Sequence, residues 1–471
     1  MNDCTELKHT VVLRGMMSML ALSVFLTPVL ADNAAPRLQV SENHRYLEFE
    51  DGRPFFYLGD TAWELFHRLN REEADRYLED RAGKGFTVVQ AVVLAQLGGL
   101  DDPNPYGDVP LIDKDPARPN EDYFEHVDYI VGRARELGLV VGMLPTWGSY
   151  WKSGRDIFTP DNARKYGRFL GKRYRDAPII WILGGDDNPK NDRERAIIEA
   201  MAQGLAEGDG GRHLMTFHPR GPGLSSDYFH KADWLDFNMF QSSHGARDHD
   251  NGVFAEHDYS LEPAKPTVDG EPRYEGIPVG FYNSNVDPDL RFDDYDVRQA
   301  AYWSLLAGAC GHTYGHNSIW QMWQPGRKSV IWASTPWHEV LDDPGASQMT
   351  HVRRLFESRP FDKLVPDQSI LVNAPTFGAA KVRAARATDG SFAFIYSPRG
   401  EQFTVQVNVI RTPRIRQTWF NPRTGDAKVL HTTDTPGFQT FVPPTSGRGN
   451  DWLLVLDDAT AGFPPPGQPS K

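Results

Sequence analysis

Eight polar or aromatic residues close successive apolar runs in the first two thirds of the chain. In order they are Asp60, Gln90, Trp147, Asp186, His218, Gln241, Glu271 and His316. Asp186 and Glu271 are carboxylates that end the fourth and seventh runs. A carboxylate pair across a sugar is the machinery of glycoside hydrolysis: a protonated one donates to the leaving oxygen, and an ionised one attacks or activates water. Each candidate also has a plain structural use. Asp186 with Asp187 suits a helix cap, and Glu271 suits an ion pair with Arg273. Asp60 suits either a substrate hydroxyl or a neighbouring arginine. Trp147 suits rim packing as well as sugar stacking.

Other chemistries lack their signatures. His218, His244 and His316 share no metal-ligand spacing, and the chain has neither a Gly-x-Ser-x-Gly elbow nor a phosphate loop. No metal and no cofactor are expected. The net charge of −13 argues against a nucleic-acid partner, which selects for basic patches. Aromatics are abundant, with 12 Trp, 17 Tyr and 26 Phe. Trp63, Trp147, Trp320 and Trp323 follow strand ends, where an aromatic face would meet the C–H face of a sugar. Asn104 and Tyr106 lie on a long loop after the second run. Trp320, Trp323, Trp332 and Trp337 lie on or near one after the eighth. These loops are expected to shape subsites.

The elements that must position these residues can be read from the pattern. Between residues 54 and 316, apolar β-branched runs alternate with helical periodicity eight times, the size and count of a (β/α)₈ barrel. An open doubly wound sheet is the runner-up, but Gly59-Asp60-Thr61-Ala62-Trp63 is not its glycine fingerprint. Catalytic residues of such a barrel sit at the C-terminal strand ends, where the carboxylates fall. Strands four and seven face each other across the mouth. After residue 360, short alternating strands split by turn signals, such as Asp389-Gly390, read as a small antiparallel β-sandwich.

The expected layout is a signal peptide at 1–31, a barrel at 32–345, a linker helix at 346–360, a β-sandwich at 361–458 and a disordered tail at 459–471. The signal reading rests on Lys8 and Arg14 ahead of an apolar run at 16–30, with small or β-branched residues before Asp32. Cleavage there would remove Cys4 and leave Cys310, expected in a buried helix, as the sole cysteine. The chain is expected to be secreted or periplasmic, with no membrane anchor after cleavage.

The motif WILGGD (181–186), together with KPTVDGEPRYE (265–275), FYLGDTAW (56–63) and LPTWG (144–148), resembles glycoside hydrolase family 140, the apiosidase-like proteins. The resemblance spans residues 38–360, and the β-rich remainder resembles the family's C-terminal domain, labelled collagen-binding. The resemblance implies Asp186 as acid/base and Glu271 as nucleophile, with retention of configuration and carboxyl groups about 5 Å apart. It also implies a glycan substrate, with apiose, a branched furanose of plant pectin, as the released sugar. Within this layout the substrate-binding candidates are Asp60, Trp63, Gln90, Trp147, Asp187, His218, Gln241, His244, His316 and Trp320. A second reading, a non-catalytic carbohydrate- or matrix-binding protein on the same fold, stays open, since function lives in the site.

Overall fold

The computed structural model describes residues 37–154, 157–434 and 437–469. The expected signal at 1–31 lies outside the described residues. Three short antiparallel strands, Leu38–Val40, Leu47–Phe49 and Pro54–Phe55, open the described chain. They have no counterpart in the expected layout, because two or three residues per strand carry no measurable period.

Eight parallel strands follow: β1 (Tyr57–Thr61), β2 (Val88–Leu94), β3 (Val140–Thr146), β4 (Ile179–Gly184), β5 (Met215–His218), β6 (Asn238–Gln241), β7 (Thr267–Asp269) and β8 (Gly311–Tyr314). β8 pairs with β1, and neighbours pair in sequence order from β1 to β5 and from β6 to β8. β5 and β6 meet where Asp236 N–H donates to Met215 O at 2.9 Å and Thr216 Oγ1 donates to Phe237 O at 2.7 Å. The barrel is therefore present as expected. Its strands are buried on both faces, which is why they read as continuous apolar runs.

Local sequence fixes the helix starts. Asn70 caps α1 (Arg71–Gly83) in a capping box with Glu73. Thr159 caps α2 (Pro160–Arg173), with proline at the first position. Asp293 and Asp296 form the box of α3 (Asp294–Leu306). Cys310 is buried, but it sits in the bend between α3 and β8 rather than in a helix; its N–H donates to Thr267 O at 2.8 Å.

Helix α4 (Pro344–Glu357) leads into a sandwich of two antiparallel sheets. Its strands are β9 (Leu364–Pro366), β10 (Leu371–Asn373), β11 (Arg383–Ala387), β12 (Phe392–Ser397), β13 (Phe403–Gln406), β14 (Ile415–Phe420), β15 (Ala427–Thr433), β16 (Phe438–Phe441) and β17 (Trp452–Asp458). One sheet runs β9-β11-β12-β17-β14-β15, and the other runs β10-β13-β16. The alternating run at 403–409 is a strand only as far as Gln406 and then turns into a 3₁₀ segment. β15 escaped notice because six of its seven residues are exposed, so nothing in it alternates.

Alternation along β12 explains how the sandwich is attached. Ala393 and Ile395 enter the core between the two sheets, whereas Phe392, Phe394 and Tyr396 enter the core shared with the barrel. Phe394 meets Phe356 edge-on at 5.4 Å, and Tyr396 stacks on Tyr302 at 4.7 Å. The tail is not loose as expected. Phe463 lies under the guanidinium of Arg359 and edge-on to Phe392, and Gly467 N–H donates to Ser358 Oγ at 3.2 Å. Its proline run gave no periodic signal, and its order comes from these tertiary contacts.

Candidate active site

The C-terminal ends of the strands surround a cavity of about 560 Å³, within the range of small-ligand sites. Asp186, Glu271, Trp63, Trp147, Gln241, His244 and Trp320 line it, seven of the sequence candidates in one place. Among the described residues, no group of three or more His, Cys, Asp or Glu is arranged to hold a metal. No described helix is long and apolar enough to cross a membrane.

The turn after β4 places Asp186. Gly184, Gly185 and Asp186 have φ of 99°, 92° and 56°, three left-handed residues in succession. A Cβ on Gly184 would lie 2.4 Å from His218 O, and one on Gly185 would lie 2.9 Å from Gly148 N and Trp147 Cα. Only glycines let this turn wedge between the ends of β3 and β5. The left-handed Asp186 is strained for a residue with a side chain, the kind of feature that persists where its surroundings over-determine it. Its backbone N–H donates to His218 Nδ1 at 3.2 Å.

That hydrogen bond fixes the histidine. Nδ1 accepts, so the proton of the neutral ring sits on Nε2, which lies 3.2 Å from Glu271 Oε2. His244 Nε2 lies 3.1 Å from the other oxygen, Oε1. His218 itself is fully buried, edge-on to Trp63 at 5.4 Å. The His244 ring packs on Tyr274 at 4.5 Å and Phe281 at 5.7 Å.

The surroundings drive the two carboxyls apart. Burial, and then the charge of Glu271, push Asp186 well above the ordinary aspartate range; His218 and Arg220 pull it down less. Burial alone would raise Glu271 too, but the two histidines outweigh it and hold the carboxyl far below the usual range. Below the value of about 7 to which Asp186 is pushed, a protonated Asp186 therefore shares a cavity with an ionised Glu271. Glu271 makes no ion pair with Arg273, whose guanidinium instead reaches Gln299 Oε1 at 3.4 Å.

Four candidates lie elsewhere. Asp60 is wholly buried against Arg81 Nε at 2.7 Å and the Tyr77 hydroxyl at 2.6 Å, so it serves the barrel wall and not a substrate hydroxyl. Gln90 is spent inside the barrel on Thr313 Oγ1 at 2.8 Å and Gly270 O at 3.2 Å. Asp187, next in chain to Asp186, turns to Lys152 at 3.6 Å and to the Asn188 N–H. His316 caps the helix Asn317–Trp320 and pairs with Asp343 at 3.0 Å. A strand-end position alone does not distinguish these residues from those that reach the cavity.

The loop aromatics divide similarly. Trp320 reaches the cavity, but Trp323 and Trp332 do not line it, and Trp337 is buried with its Nε1 on Gln324. Tyr106 packs on His126 and accepts the Arg71 N–H, and Asn104 closes its own loop. The structure adds residues the sequence pattern did not mark: Gln96, Leu97, Arg220, Ser243, Tyr274, Phe281 and Tyr282 on the wall, and Glu64 behind it. Buried Glu64 accepts the Leu97 N–H at 2.9 Å and pairs with His67 at 2.8 Å, pinning the loop after β2. These residues sit in aperiodic loops, where neither spacing nor residue type sets them apart. Glu64 stood one residue beyond Trp63, Ser243 one before His244, and Tyr274 within the KPTVDGEPRYE run itself.

A parallel barrel with one carboxyl pushed up and another held down at its mouth fits the glycoside hydrolase class. A family model described as "Apiosidase-like, catalytic domain" matches residues 41–363, and the chain belongs to this family. A second model, described as "Putative collagen-binding domain of a collagenase", matches residues 365–457. A solved structure described as a glycoside hydrolase is 36% identical, covering 91% of this chain and 98% of its own, with a TM-score of 0.84. Another, described as a glycoside hydrolase family 5 protein from Bacteroides vulgatus, is 33% identical, covering 91% and 95%, also with a TM-score of 0.84. Among curated proteins, none matches the chain.

Proposed function

We propose that the protein is an exported, retaining glycosidase that releases apiose or a related furanosyl sugar from pectic glycans of the plant cell wall. The observation that carries the mechanism is the split between Asp186, kept protonated, and Glu271, kept ionised, in one cavity. Asp186 donates its proton to the glycosidic oxygen as the bond to the anomeric carbon breaks. Glu271 attacks that carbon from the opposite face and forms a glycosyl ester. The leaving alcohol departs. Asp186, now ionised, takes a proton from water, the hydroxide adds to the anomeric carbon, and Glu271 leaves as carboxylate. Two inversions give net retention. Trp63, Trp147 and Trp320 supply apolar faces for the ring, and Gln241 and Ser243 supply hydrogen bonds for its hydroxyls. Export is supported by the N-terminal apolar run at 16–30, and the furanosyl specificity by the resemblance to apiosidases.

The experiment is a digest of pectic oligosaccharides and of an aryl apiofuranoside, followed by proton NMR of the first product. Free apiose in the substrate's own anomeric configuration supports the proposal. Release of the opposite anomer overturns the double displacement. A glycan that binds without cleavage establishes the non-catalytic reading instead.

A further inference from the structure

The loop 242–251 after β6 carries Ser243 and His244 into the cavity. It contains two left-handed residues that are not glycine, Ser243 at φ 73° and Asp248 at φ 58°. Such conformations persist only where surrounding contacts over-determine them. On the barrel side the loop is held by the Ser243 N–H on Glu271 O at 3.3 Å and by Asn251 Nδ2 on Asp269 Oδ2 at 2.8 Å. The barrel also supplies the Gly280 N–H on His244 O at 2.7 Å, the Arg291 carbonyl for Arg247, and Gln299 Nε2 on Asp248 Oδ1 at 3.4 Å, and the sandwich adds a charged set of holds. Arg399, just after β12, places one guanidinium nitrogen 3.0 Å from both oxygens of Asp248. Arg383, wholly buried at the start of β11, grips Asp250 at 2.7 and 2.8 Å, and Lys381 adds a contact at 2.6 Å. A Cβ on Gly252 would lie 2.5 Å from the Arg383 guanidinium, so the backbone and the arginine are in close packing. Arg448 reaches Asp296 at 2.8 Å, and the same carboxylate takes Arg247 of the loop at 3.3 Å.

We propose that the C-terminal sandwich is a positioning part of the active site, with Arg399, Arg383 and Lys381 clasping Asp248 and Asp250 so that the loop 242–251 holds His244 against Glu271. This assignment rests on the reading of Glu271 as the reacting carboxylate. It makes the sandwich a working part of the hydrolase rather than a separate binding module. Charge-assisted, bidentate contacts fix geometry as well as supply attraction, and here they act on a segment with two left-handed non-glycine residues. Arg399, Arg383, Lys381 and Arg448 touch no residue of the cavity and act only through the loop. The ionisable groups that face Glu271 itself are His218, His244, Tyr274 and Asp186.

The test uses the full chain with Arg399→Gln, at a partly exposed position, and Arg399→Lys as the conservative control. The expected result is an acid limb of the kcat/KM profile moved up on the order of one pH unit in R399Q, a tenfold loss of rate below it. kcat falls while KM and thermal unfolding change little, and R399K recovers most of the rate. A profile of R399Q that superimposes on the parent, with or without a lower melting temperature, overturns the proposal. If the parent cleaves no glycoside, the proposed function fails first. The clasp is then decided by NMR of the His244 imidazole, assigned with His244→Asn. A changed His244 titration in R399Q upholds the clasp, and an identical one overturns it.

Discussion

His218 Nε2 lies 3.2 Å from Glu271 Oε2, and the same ring accepts the backbone N–H of Asp186 through Nδ1. One imidazole thus touches the carboxylate of β7 and the main chain of the turn after β4. It links the two segments that carry the proposed acid and nucleophile. Its Nδ1 accepts from the Asp186 main chain, which leaves Nε2 facing Glu271.

The first prediction concerns pH. The raised Asp186 keeps its proton through the acid range, and activity falls as pH rises through its displaced value of about 7. The lowered Glu271 stays ionised well into acid, and activity falls only as pH drops through its displaced value. A bell-shaped kcat/KM profile with a broad acid-to-neutral plateau is expected. Steady-state rates on an aryl glycoside between pH 3 and 9 check it, and an optimum on the alkaline side would contradict it.

The acid and its neighbour should separate by leaving group. Asp186→Asn is expected to lose about 10²–10⁴ in kcat on substrates with poor leaving groups and far less on a dinitrophenyl glycoside. Asp187 faces Lys152 and the Asn188 N–H rather than the cavity, so Asp187→Asn should stay within about twofold of the parent. Parallel kinetics on the two substrate classes decide between them.

Removing either histidine should move the acid limb. His218→Asn and His244→Asn each take away one of the partners that hold Glu271 low, so its carboxyl rises. The acid limb moves to higher pH in both variants; the alkaline limb stays in place in His244→Asn and rises as well in His218→Asn, because His218 also holds Asp186 down. An alkaline shift alone would show that these rings serve the acid instead.

Asp60 should register in stability and not in specificity. Asp60→Ala takes the buried carboxylate from Arg81 Nε and leaves the guanidinium only Asp80 and the Leu341 carbonyl, at a cost of about 3–5 kcal/mol. Denaturant unfolding measures this, and the KM of the remaining folded enzyme should be unchanged. A KM effect at full stability would return Asp60 to the substrate.

The legible part of this protein was the part with a period. β-branched runs and capping boxes such as Asn70–Glu73 marked the barrel, and strand ends marked Asp186 and Glu271. Their burial and histidine partners were not legible, because His218 and His244 reach Glu271 across 53 and 27 positions of sequence. Asp60 and Gln90 misled for the complementary reason: a strand-end side chain turns either to the mouth or to the wall, and only packing against Arg81 or Thr313 decides which. The clasp on loop 242–251 joins residues more than a hundred positions apart, far beyond any local pattern.

The most direct test of the central claim is azide rescue of Glu271→Gly on an aryl apiofuranoside that the parent cleaves. The variant is expected to be inactive in buffer. With sodium azide it should regain turnover and yield a glycosyl azide of the anomeric configuration opposite to the substrate. Turnover by the variant without azide, or no rescue by it, would remove Glu271 as the nucleophile.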